Sequence, residues 1–390
     1  EEIHMRKFYT AEAVTEGHPD KLCDQIADAI LDVCLKNDEN SRVACEVLAT
    51  KGNIIVAGEI TSAYEPDVFA VVRKVLSDIG YSSEGIAMDT FVHQQSPDIA
   101  GAVDTSKERR EGVSDNQMDW FQGAGDQGVM IGYACDETKQ LMPIPVVLAN
   151  RIVRELSACR QSSYIQGILP DGKAQVTVEY ENGKPVRLDS VVVSCQHTED
   201  KNLKKLEAEI RKKVLLPALR LLPPDEDTKI FINPSGRFVC GGMDADTGLT
   251  GRKLMVDSYG SMVPHGGGAF SGKDCSKVDR SVAYMARYIA KNIVAARLAS
   301  RCQVSLAYAI GVAQPVMVQV DTFGTGKVCA DDCLELAIPL VFGLTPKQIV
   351  DSLRLTRPIF RQTAAFGHFG RKEFPWERTD KVEALRNAVI

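Results

Sequence analysis

The sequence has no long apolar run. Its longest apolar stretches are short, as at residues 336–344, and Pro339 interrupts that one. A helix needs about 18 or more consecutive apolar residues to span a bilayer. The opening residues, EEIHMRKFYT, are charged and show no apolar core of a signal peptide. We therefore expect no membrane partner, no secretory leader and a cytoplasmic protein.

Cysteine pairs of the C-x-x-C type are also missing. The 11 cysteines are odd in number and scattered, and the closest two are Cys329 and Cys333. A disulfide framework or a zinc site would place cysteines at regular, paired spacings. The pattern instead favours reduced thiols, most of them small residues of the core.

A basic tail or stripe is absent as well. The chain carries 46 Lys and Arg against 52 Asp and Glu, for a formal net charge of −6. This balance argues against a nucleic-acid partner, because binding to a phosphate backbone needs clustered positive charge. With 44% hydrophobic and 25% charged residues, the composition is that of a soluble globular protein. A local basic cluster in such a protein suggests a small anionic ligand.

What the sequence does contain is a pattern of helix, two strands and helix that recurs three times. The predicted helices are 19–36, 67–78, 144–160, 201–216, 277–300 and segments within 331–353, and the predicted strands are 42–50, 54–62, 174–180, 186–196, 302–312 and 316–322. The recurrence predicts an α+β protein of three similarly built domains, pseudo-threefold in plan, each an antiparallel or mixed sheet with helices on one face. The alternative is an accidental repetition, because helix–hairpin–helix order is common.

The predicted boundaries are an N-terminal domain at 1–102, a mobile active-site loop at 103–122, a central domain at 123–232 and a C-terminal domain at 233–390. The wider connection 96–122 is polar and shows no hydrophobic periodicity. A connection of this kind is either a lid or a linker. It leads directly into the glycine-rich segment GAGDQG, which favours a lid.

Residues 265–279, HGGGAFSGKDCSKVD, carry the strongest chemical signal. Glycines let backbone N–H groups approach a ligand closely, and a helix N-terminus attracts anions. Lys273 and Lys277 suit phosphate, while Asp274 and Asp279 suit a divalent cation. The segment therefore predicts a polyphosphate and metal site.

Two better-known motifs fit this chain poorly. Residues 267–273 match G-x-x-x-x-G-K, but Asp274 follows where a P-loop has Ser or Thr, and no buried strand precedes the segment. GAGDQG at 123–128 follows a polar segment and precedes a strand-like run, the reverse of a Rossmann fingerprint. We expect neither a P-loop nor a dinucleotide site.

Other candidates each have a plainer alternative. His18 and Asp20 flank the start of a predicted helix, where they hold phosphate and metal or merely cap the helix. Arg252 and Lys253 follow two glycines and are a ligand-binding pair or a solvated one. Phe238 stacks on a base or belongs to the core. For four further residues the plainer alternative to ligand binding is a turn or a solvated surface position: Lys173, Asp126, Glu46 and Glu59.

Eight segments, in order along almost the whole chain, resemble the S-adenosylmethionine synthetases, also called methionine adenosyltransferases. They are EGHPDK (16–21), GEITS (58–62), QSPDI (95–99), GAGDQG (123–128), GLTGRK (248–253), HGGGAFSGKD (265–274), YAIGV (308–312) and AAFGHFGR (364–371). GAGDQG and GGGAFSGKD together are highly specific, and the family's three-domain α+β fold agrees with the predicted plan. The resemblance implies an alkyl transferase that makes S-adenosylmethionine, phosphate and pyrophosphate from ATP, L-methionine and water.

The resemblance also implies roles for individual residues. Asp20 and Asp279 match ligands of Mg²⁺, with two ions per site, and Glu46 matches the K⁺ site. The residues that match the surroundings of the triphosphate are His18, Lys173, Arg252, Lys253, Lys273 and Lys277. All of these except Lys253 are also predicted to be catalytic. The ATP-binding set adds Ser235, Arg237, Phe238 and Asp246. The methionine-binding set is Glu59, Gln95, Asp126, Asp246, Lys277 and Ile310. A homodimer with shared active sites, and a dimer of dimers, are implied as well.

The sequence departs from the family pattern in three places. Met243-Asp244-Ala245 stands where the family usually has Pro-x-Gly, Gly101 stands where Gln is common, and residues 106–120 are unusually rich in charge. Two other classes compete with the resemblance. A phosphotransferase or ATP-grasping ligase would need a Walker Ser or Thr and a catalytic base, and a non-catalytic nucleotide-binding regulator would have lost some of the matched residues.

Overall fold

A computed structural model describes residues 6–96, 101, 105–112 and 122–389 of the chain. The described strands are β1 Arg6–Val14, β2 Arg42–Thr50, β3 Asn53–Thr61, β4 Ala87–His93, β5 Gly128–Cys135, β6 Ile168–Glu181, β7 Lys184–His197, β8 Lys229–Ile232, β9 Gly248–Leu249, β10 Arg301–Tyr308 and β11 Met317–Asp321. The described α-helices are α1 Pro19–Asn37, α2 Val68–Ile79, α3 Lys107–Arg110, α4 Ile144–Gln161, α5 Leu203–Ile210, α6 Leu216–Ala218, α7 Leu254–Asp257, α8 Val278–Ala295, α9 Asp331–Val341, α10 Pro346–Leu353 and α11 Val382–Ala388.

These strands form three sheets. The first has the order β1-β6-β7-β8, the second β11-β10-β5 and the third β4-β3-β2-β9. The β7–β8 and β3–β4 pairs are parallel, and the remaining pairs are antiparallel. The predicted fold class, α+β with three similar units, is confirmed.

Each sheet takes one strand from a distant part of the chain. Strand β1 pairs along its whole length with β6, β5 pairs with β10, and the short β9 pairs with β2. Non-local pairing of this kind joins the units into one structure. The predicted domain boundaries stay a prediction.

A long, buried helix covers one face of each sheet. Helix α1 packs on β2, α4 on β1 and β6, and α8 on β5 and β10. Helix α1 forms because Leu22, Ile26 and Ile30 recur at helical spacing, Pro19 occupies its first turn and His18 caps it. Both α1 and α8 are buried around almost their whole circumference. Their charged side chains are therefore paired inside the protein, as in the bidentate contact of Arg280 with Asp28 at 2.6 and 2.8 Å.

Most of the predicted segments are confirmed, with some differences in extent. The segment 201–216 is not one regular α-helix, because a π-helical stretch, Arg211–Leu215, separates α5 from α6. Asp171 and Lys173, interpreted as a turn, lie within β6, whose register against β7 shifts between residues 168 and 172. Strands β1, β4, β8 and β9 were not predicted. Helix α3 lies inside the predicted active-site loop, and most of that loop, 103–104 and 113–121, lies outside the described residues.

No single helix among the described residues is both long and apolar enough to cross a membrane, although the bent pair α9 and α10 satisfies the length and composition requirements jointly.

Candidate functional site

The N-terminus of α1 carries the first group of predicted site residues. Nδ1 of His18 accepts a hydrogen bond from the backbone N–H of Asp20 at 3.2 Å. Because Nδ1 is an acceptor, the neutral ring carries its proton on Nε2. Burial lowers the pKa of His18 to about 3, with further contributions from the positive charges of Lys253, Lys173 and Lys21. His18 is therefore a neutral hydrogen-bond donor at physiological pH, a suitable partner for a phosphate oxygen.

The GLTGRK loop brings two cations to this helix end. Nζ of Lys253 forms an ion pair with Oδ2 of Asp20, and Nε of Arg252 lies 3.8 Å from Oδ1 of the same carboxylate. The loop can approach because Gly248 packs against the backbone of Pro19, where a Cβ would lie 2.2 Å from the carbonyl carbon. The structure thus joins His18, Asp20, Arg252 and Lys253, which are far apart in sequence.

Asp20 fits the predicted role of a magnesium ligand. Its Oδ1 is buried and accepts no hydrogen bond. A buried carboxylate oxygen without a donor is costly and is a natural ligand for a hard cation. Within the described part of the chain, no group of three or more His, Cys, Asp and Glu side chains forms a complete metal cage.

Lys173 and Asp246 lie beside this group. Lys173 forms an ion pair with Glu12 at 2.9 Å across the β1–β6 pair and contributes to the low pKa of His18. Oδ1 of Asp246 accepts from the N–H of Thr247 at 2.9 Å. The charges of Lys173 and Asp246 both act on the pKa of His18, so both side chains lie near the end of α1.

Met243 and Asp244 of the segment Met243-Asp244-Ala245 lie in a short 3₁₀ turn, Gly242–Asp244, which Ala245 ends. The N–H of Gly242 donates to Oδ2 of Asp171 at 2.8 Å. Burial raises the pKa of Asp171 to about 6, although this hydrogen bond lowers it. Asp171 therefore anchors the turn from β6, a role that its sequence context did not indicate.

The predicted adenosine residues lie in the connection after β8. Ser235 and Arg237 are exposed and Phe238 is half-buried. His197 fixes the backbone here: its N–H donates to the carbonyl of Phe238 at 2.9 Å, and its Nε2 accepts from the N–H of Phe238 at 3.0 Å. Arg237 pairs with Glu199 at 2.5 Å. His197 was not identified from the sequence, because no motif marks a lone histidine at the end of a strand.

The loop before α8 carries a second group. Nζ of Lys273 forms an ion pair with Asp279, in the first turn of the helix. Lys277, at the N-cap, forms an ion pair with Asp274 at 2.7 Å. Partial desolvation raises the pKa of Glu46, and the charge of Lys273 opposes this, so Glu46 belongs to the same neighbourhood. Lys273, Asp279 and Glu46 therefore lie close together, and their roles in binding stay a prediction.

Asp274 does not fit the metal-binding role that was considered for it. Its side chain is fully buried and accepts hydrogen bonds from the N–H groups of Val43 at 2.7 Å and Ser276 at 2.8 Å. Burial would raise its pKa, but the charges of Lys277 and Arg42 hold the pKa below its usual value. With its oxygens occupied inside the protein, Asp274 fastens this loop to β2.

The glycines of this loop also have a different main role from the predicted one. An added Cβ at Gly268 would lie 2.4 Å from Asp279, and at Gly272, with φ of 80°, it would lie 1.9 Å from the carbonyl oxygen of Cys45. Among the three glycines 266–268, only Gly267 would place an added Cβ in open space, with no atom within 4 Å. Close packing within the chain, more than access for a ligand, requires these glycines.

Two of the predicted methionine residues lie near this second group: Glu59 acts on the pKa of Glu46, and Gly125, which precedes Asp126, packs against Ser276. Oε1 of Glu59 lies 3.2 Å from Nε2 of His93 across the β3–β4 pair, and the N–H of Gln95 donates to Oγ1 of Thr61 at 3.2 Å. Asp126 is exposed, and Ile310 is 46% exposed beside the bridge that joins it to Ala124. These side chains are accessible to a ligand.

The structure therefore defines a three-sheet α+β protein with cation-rich loops at the N-termini of two buried helices. The family models of S-adenosylmethionine synthetase match it over almost its whole length: the N-terminal domain model matches residues 6–104, the central domain model 121–238 and the C-terminal domain model 240–378. The chain belongs to the S-adenosylmethionine synthetase family. The resemblance drawn from its motifs is confirmed.

Proposed function

We propose that this protein is a methionine adenosyltransferase that forms S-adenosylmethionine from ATP and L-methionine and then hydrolyses the bound tripolyphosphate to phosphate and pyrophosphate. The observation that carries the proposal is the paired arrangement of cation and carboxylate at both helix ends, Lys253 with Asp20 and Lys273 with Asp279. Family membership supports the reaction class.

The proposed reaction is an in-line attack of the methionine sulfur on C5′ of ATP. The C5′–O bond breaks, its electron pair leaves with tripolyphosphate, and the neutral thioether becomes a sulfonium cation. No proton leaves the sulfur, so the reaction needs no general base for this step. Holding the two reactants in line can supply about 7–11 kcal/mol of the barrier.

Stabilisation of the leaving group falls to fixed positive charges and donors. Nε2–H of His18 and the cations of Arg252 and Lys253 would contact the triphosphate from α1, with Lys173 beside them. Lys273 and Lys277 would contact it from α8. Preorganised charges in a water-poor site stabilise developing negative charge without reorganisation. Contacts from several sides would also protect the phosphorus atoms and leave C5′ open to attack.

Asp20 and Asp279 would hold Mg²⁺, which when bound neutralises charge on the triphosphate, and Glu46 would hold K⁺. Each of the two aspartates forms an ion pair with a lysine: Asp20 with Lys253 and Asp279 with Lys273. Binding of ATP with its metal would let each lysine exchange its carboxylate partner for a phosphate oxygen. Phe238, Ser235, Arg237 and Asp246 would form the adenosine side.

Glu59 and Asp126 would accept hydrogen bonds from the methionine ammonium group, with Gln95, Ile310, Asp246 and Lys277 completing that subsite.

We further propose a homodimer, itself paired into a dimer of dimers, in which His18 of one chain and Lys273 of another face the same ligand. Sedimentation velocity, with and without ligands, would measure the assembly.

The test of the activity is mass spectrometry of the purified protein incubated with ATP, L-methionine, Mg²⁺ and K⁺, beside a control without methionine. We expect a methionine-dependent S-adenosylmethionine peak together with phosphate and pyrophosphate. Formation of ADP or AMP without the sulfonium product would show attack at phosphorus and replace this proposal with a phosphotransferase or ligase. Binding of ATP without any turnover would indicate a regulator.

A further inference from the structure

One fully buried lysine beside the site has no role in the proposed reaction. Lys21 follows Asp20 on α1 and is 1% exposed. Its Nζ donates to Oδ2 of Asp24 at 2.8 Å and to Oδ1 of Asp257 at 2.5 Å. Asp24 is 0% exposed and Asp257 2%. The three side chains therefore form a closed ion-pair cluster inside the protein.

Both carboxylates of this cluster attach the segment 251–257 to helix α1. Oδ1 of Asp24 accepts a hydrogen bond from the N–H of Gly251 at 2.9 Å, where the segment begins. Asp257 is the last residue of α7 and ends the segment. Since Lys21 bonds to both carboxylates, it holds the two ends of the segment on one helix.

The attached segment carries the two cations that face Asp20. Lys253 pairs with Asp20, and Arg252 lies 3.8 Å from it. Asp20 and Lys21 are consecutive residues of α1. The same helical turn therefore positions the carboxylate of Asp20 and the lysine that attaches the segment 251–257. The separation between the helix end and the two cations is therefore set by the buried cluster.

Stability alone is a weak reason for such a cluster. Taking ions out of water costs about as much as their attraction returns, and apolar side chains of similar size often serve as well. The two hydrogen bonds of Nζ fix the direction and the partners of the Lys21 side chain. Such a residue supplies a defined geometry.

We propose that Lys21 is a positioning residue that holds the cations of Arg252 and Lys253 at the N-terminus of α1, in register for the triphosphate. The proposal rests on the proposed function, since it assumes that these two cations bind phosphate. Without Lys21, the carboxylates of Asp24 and Asp257 would be unpaired. They would compete with the ligand for the neighbouring cations and release the segment.

The test is calorimetric titration of the full-length protein with Mg²⁺–tripolyphosphate, together with KM for ATP and for methionine. The variants are Lys21→Met, the charge-balanced double variant Lys21→Met with Asp257→Asn, and Lys21→Arg. If Lys21→Met does not fold, the double variant replaces it in the binding measurement, because Asp257→Asn removes one of the two unpaired carboxylates. Lys291→Met is the matched control: this lysine is 8% exposed and pairs with the buried Glu377, far along α8.

We expect the double variant, folded by circular dichroism, to bind tripolyphosphate at least about tenfold more weakly, the scale of a small misplacement of binding groups. KM for ATP should rise with it, while KM for methionine changes less than about twofold, and Lys21→Arg should recover part of the loss. Lys291→Met should melt at a lower temperature but keep the wild-type affinity.

Wild-type affinity in the folded double variant would overturn the positioning role, and so would an equal loss in Lys291→Met. Wild-type protein that binds tripolyphosphate but makes no S-adenosylmethionine would reject the proposed activity and leave the positioning role standing. Wild-type protein that does not bind tripolyphosphate would reject both.

Discussion

The backbone N–H of Asp20 donates to Nδ1 of His18 at 3.2 Å, so the residue that caps α1 also has its ring proton fixed on Nε2. One hydrogen bond therefore serves two purposes. It satisfies a free N–H group of the first helical turn, and it leaves Nε2–H as the donor of the neutral ring. The capping role and the ligand-binding role, which the sequence presents as alternatives, are compatible.

The partly buried, neutral state of His18 predicts an acid-sensitive contribution to stability. Its pKa is lowered from 6.5 to about 3 by burial and nearby positive charge. The unfolded chain therefore binds a proton between these values that the folded chain does not, and stability falls as pH falls from about 6.5 toward 3. In thermal melts over this range, wild type should lose more stability than His18→Asn, which retains a good capping residue. A pH-independent difference between the two proteins would contradict the assignment.

Lys273 predicts a strong effect on turnover without loss of the fold. Lys273→Met should lower S-adenosylmethionine formation at least about 100-fold, the scale for removal of a group that stabilises the transition state. Its side chain is 21% exposed and pairs with Asp279, whose side chain is 14% exposed. Lys347→Met, which removes an exposed ion pair with Asp351, is the control and should keep full activity. Normal turnover of a folded Lys273→Met protein would remove Lys273 from the mechanism.

The two aspartates of the second group should respond differently to removal of charge. Asp279→Asn should raise the Mg²⁺ concentration needed for half-maximal activity and leave the melting temperature nearly unchanged. Asp274→Asn should cost about 1.5–3 kcal/mol of stability, because it weakens charged hydrogen bonds to buried groups, while the Mg²⁺ requirement stays the same. Magnesium titrations of activity and denaturant unfolding separate the two cases. An Asp274→Asn protein with wild-type stability and a raised Mg²⁺ requirement would reverse the assignment.

Asp171 predicts a second pH effect, opposite in sign to that of His18. Burial raises its pKa from 3.8 to about 6, so between these values the folded chain holds a proton that the unfolded chain releases. The contribution of this carboxyl is present below about pH 3.8 and is lost as pH rises through about 6. Asp171→Asn stays neutral, and its stability relative to wild type should therefore increase from pH 4 to pH 7. A constant difference across that range of melts would show that Asp171 is ionised throughout.

Much of this protein follows from local sequence. The apolar spacing of residues 19–36 and 277–300 predicts the two helices that form the centre of the fold, since a helix repeats its contacts every three to four residues. The strands of the β6–β7 hairpin follow from the turn signal Asn182-Gly183. Strands β1 and β9 do not follow in the same way, because their partners, β6 and β2, lie more than a hundred residues away in the chain.

The sequence by itself determined the family, the types of residue available for binding a phosphate ligand, and the helices whose periodicity is local. Tertiary structure decided which of those residues act together. Asp274 and Asp279 have the same side chain and lie five positions apart, yet one is fully buried by β2 and the other stays at the helix surface. Lys21 appears as an ordinary helical lysine until Asp257 is brought to it. Burial and long-range pairing set the charge, partners and accessibility of each group, and these depend on distant parts of the chain.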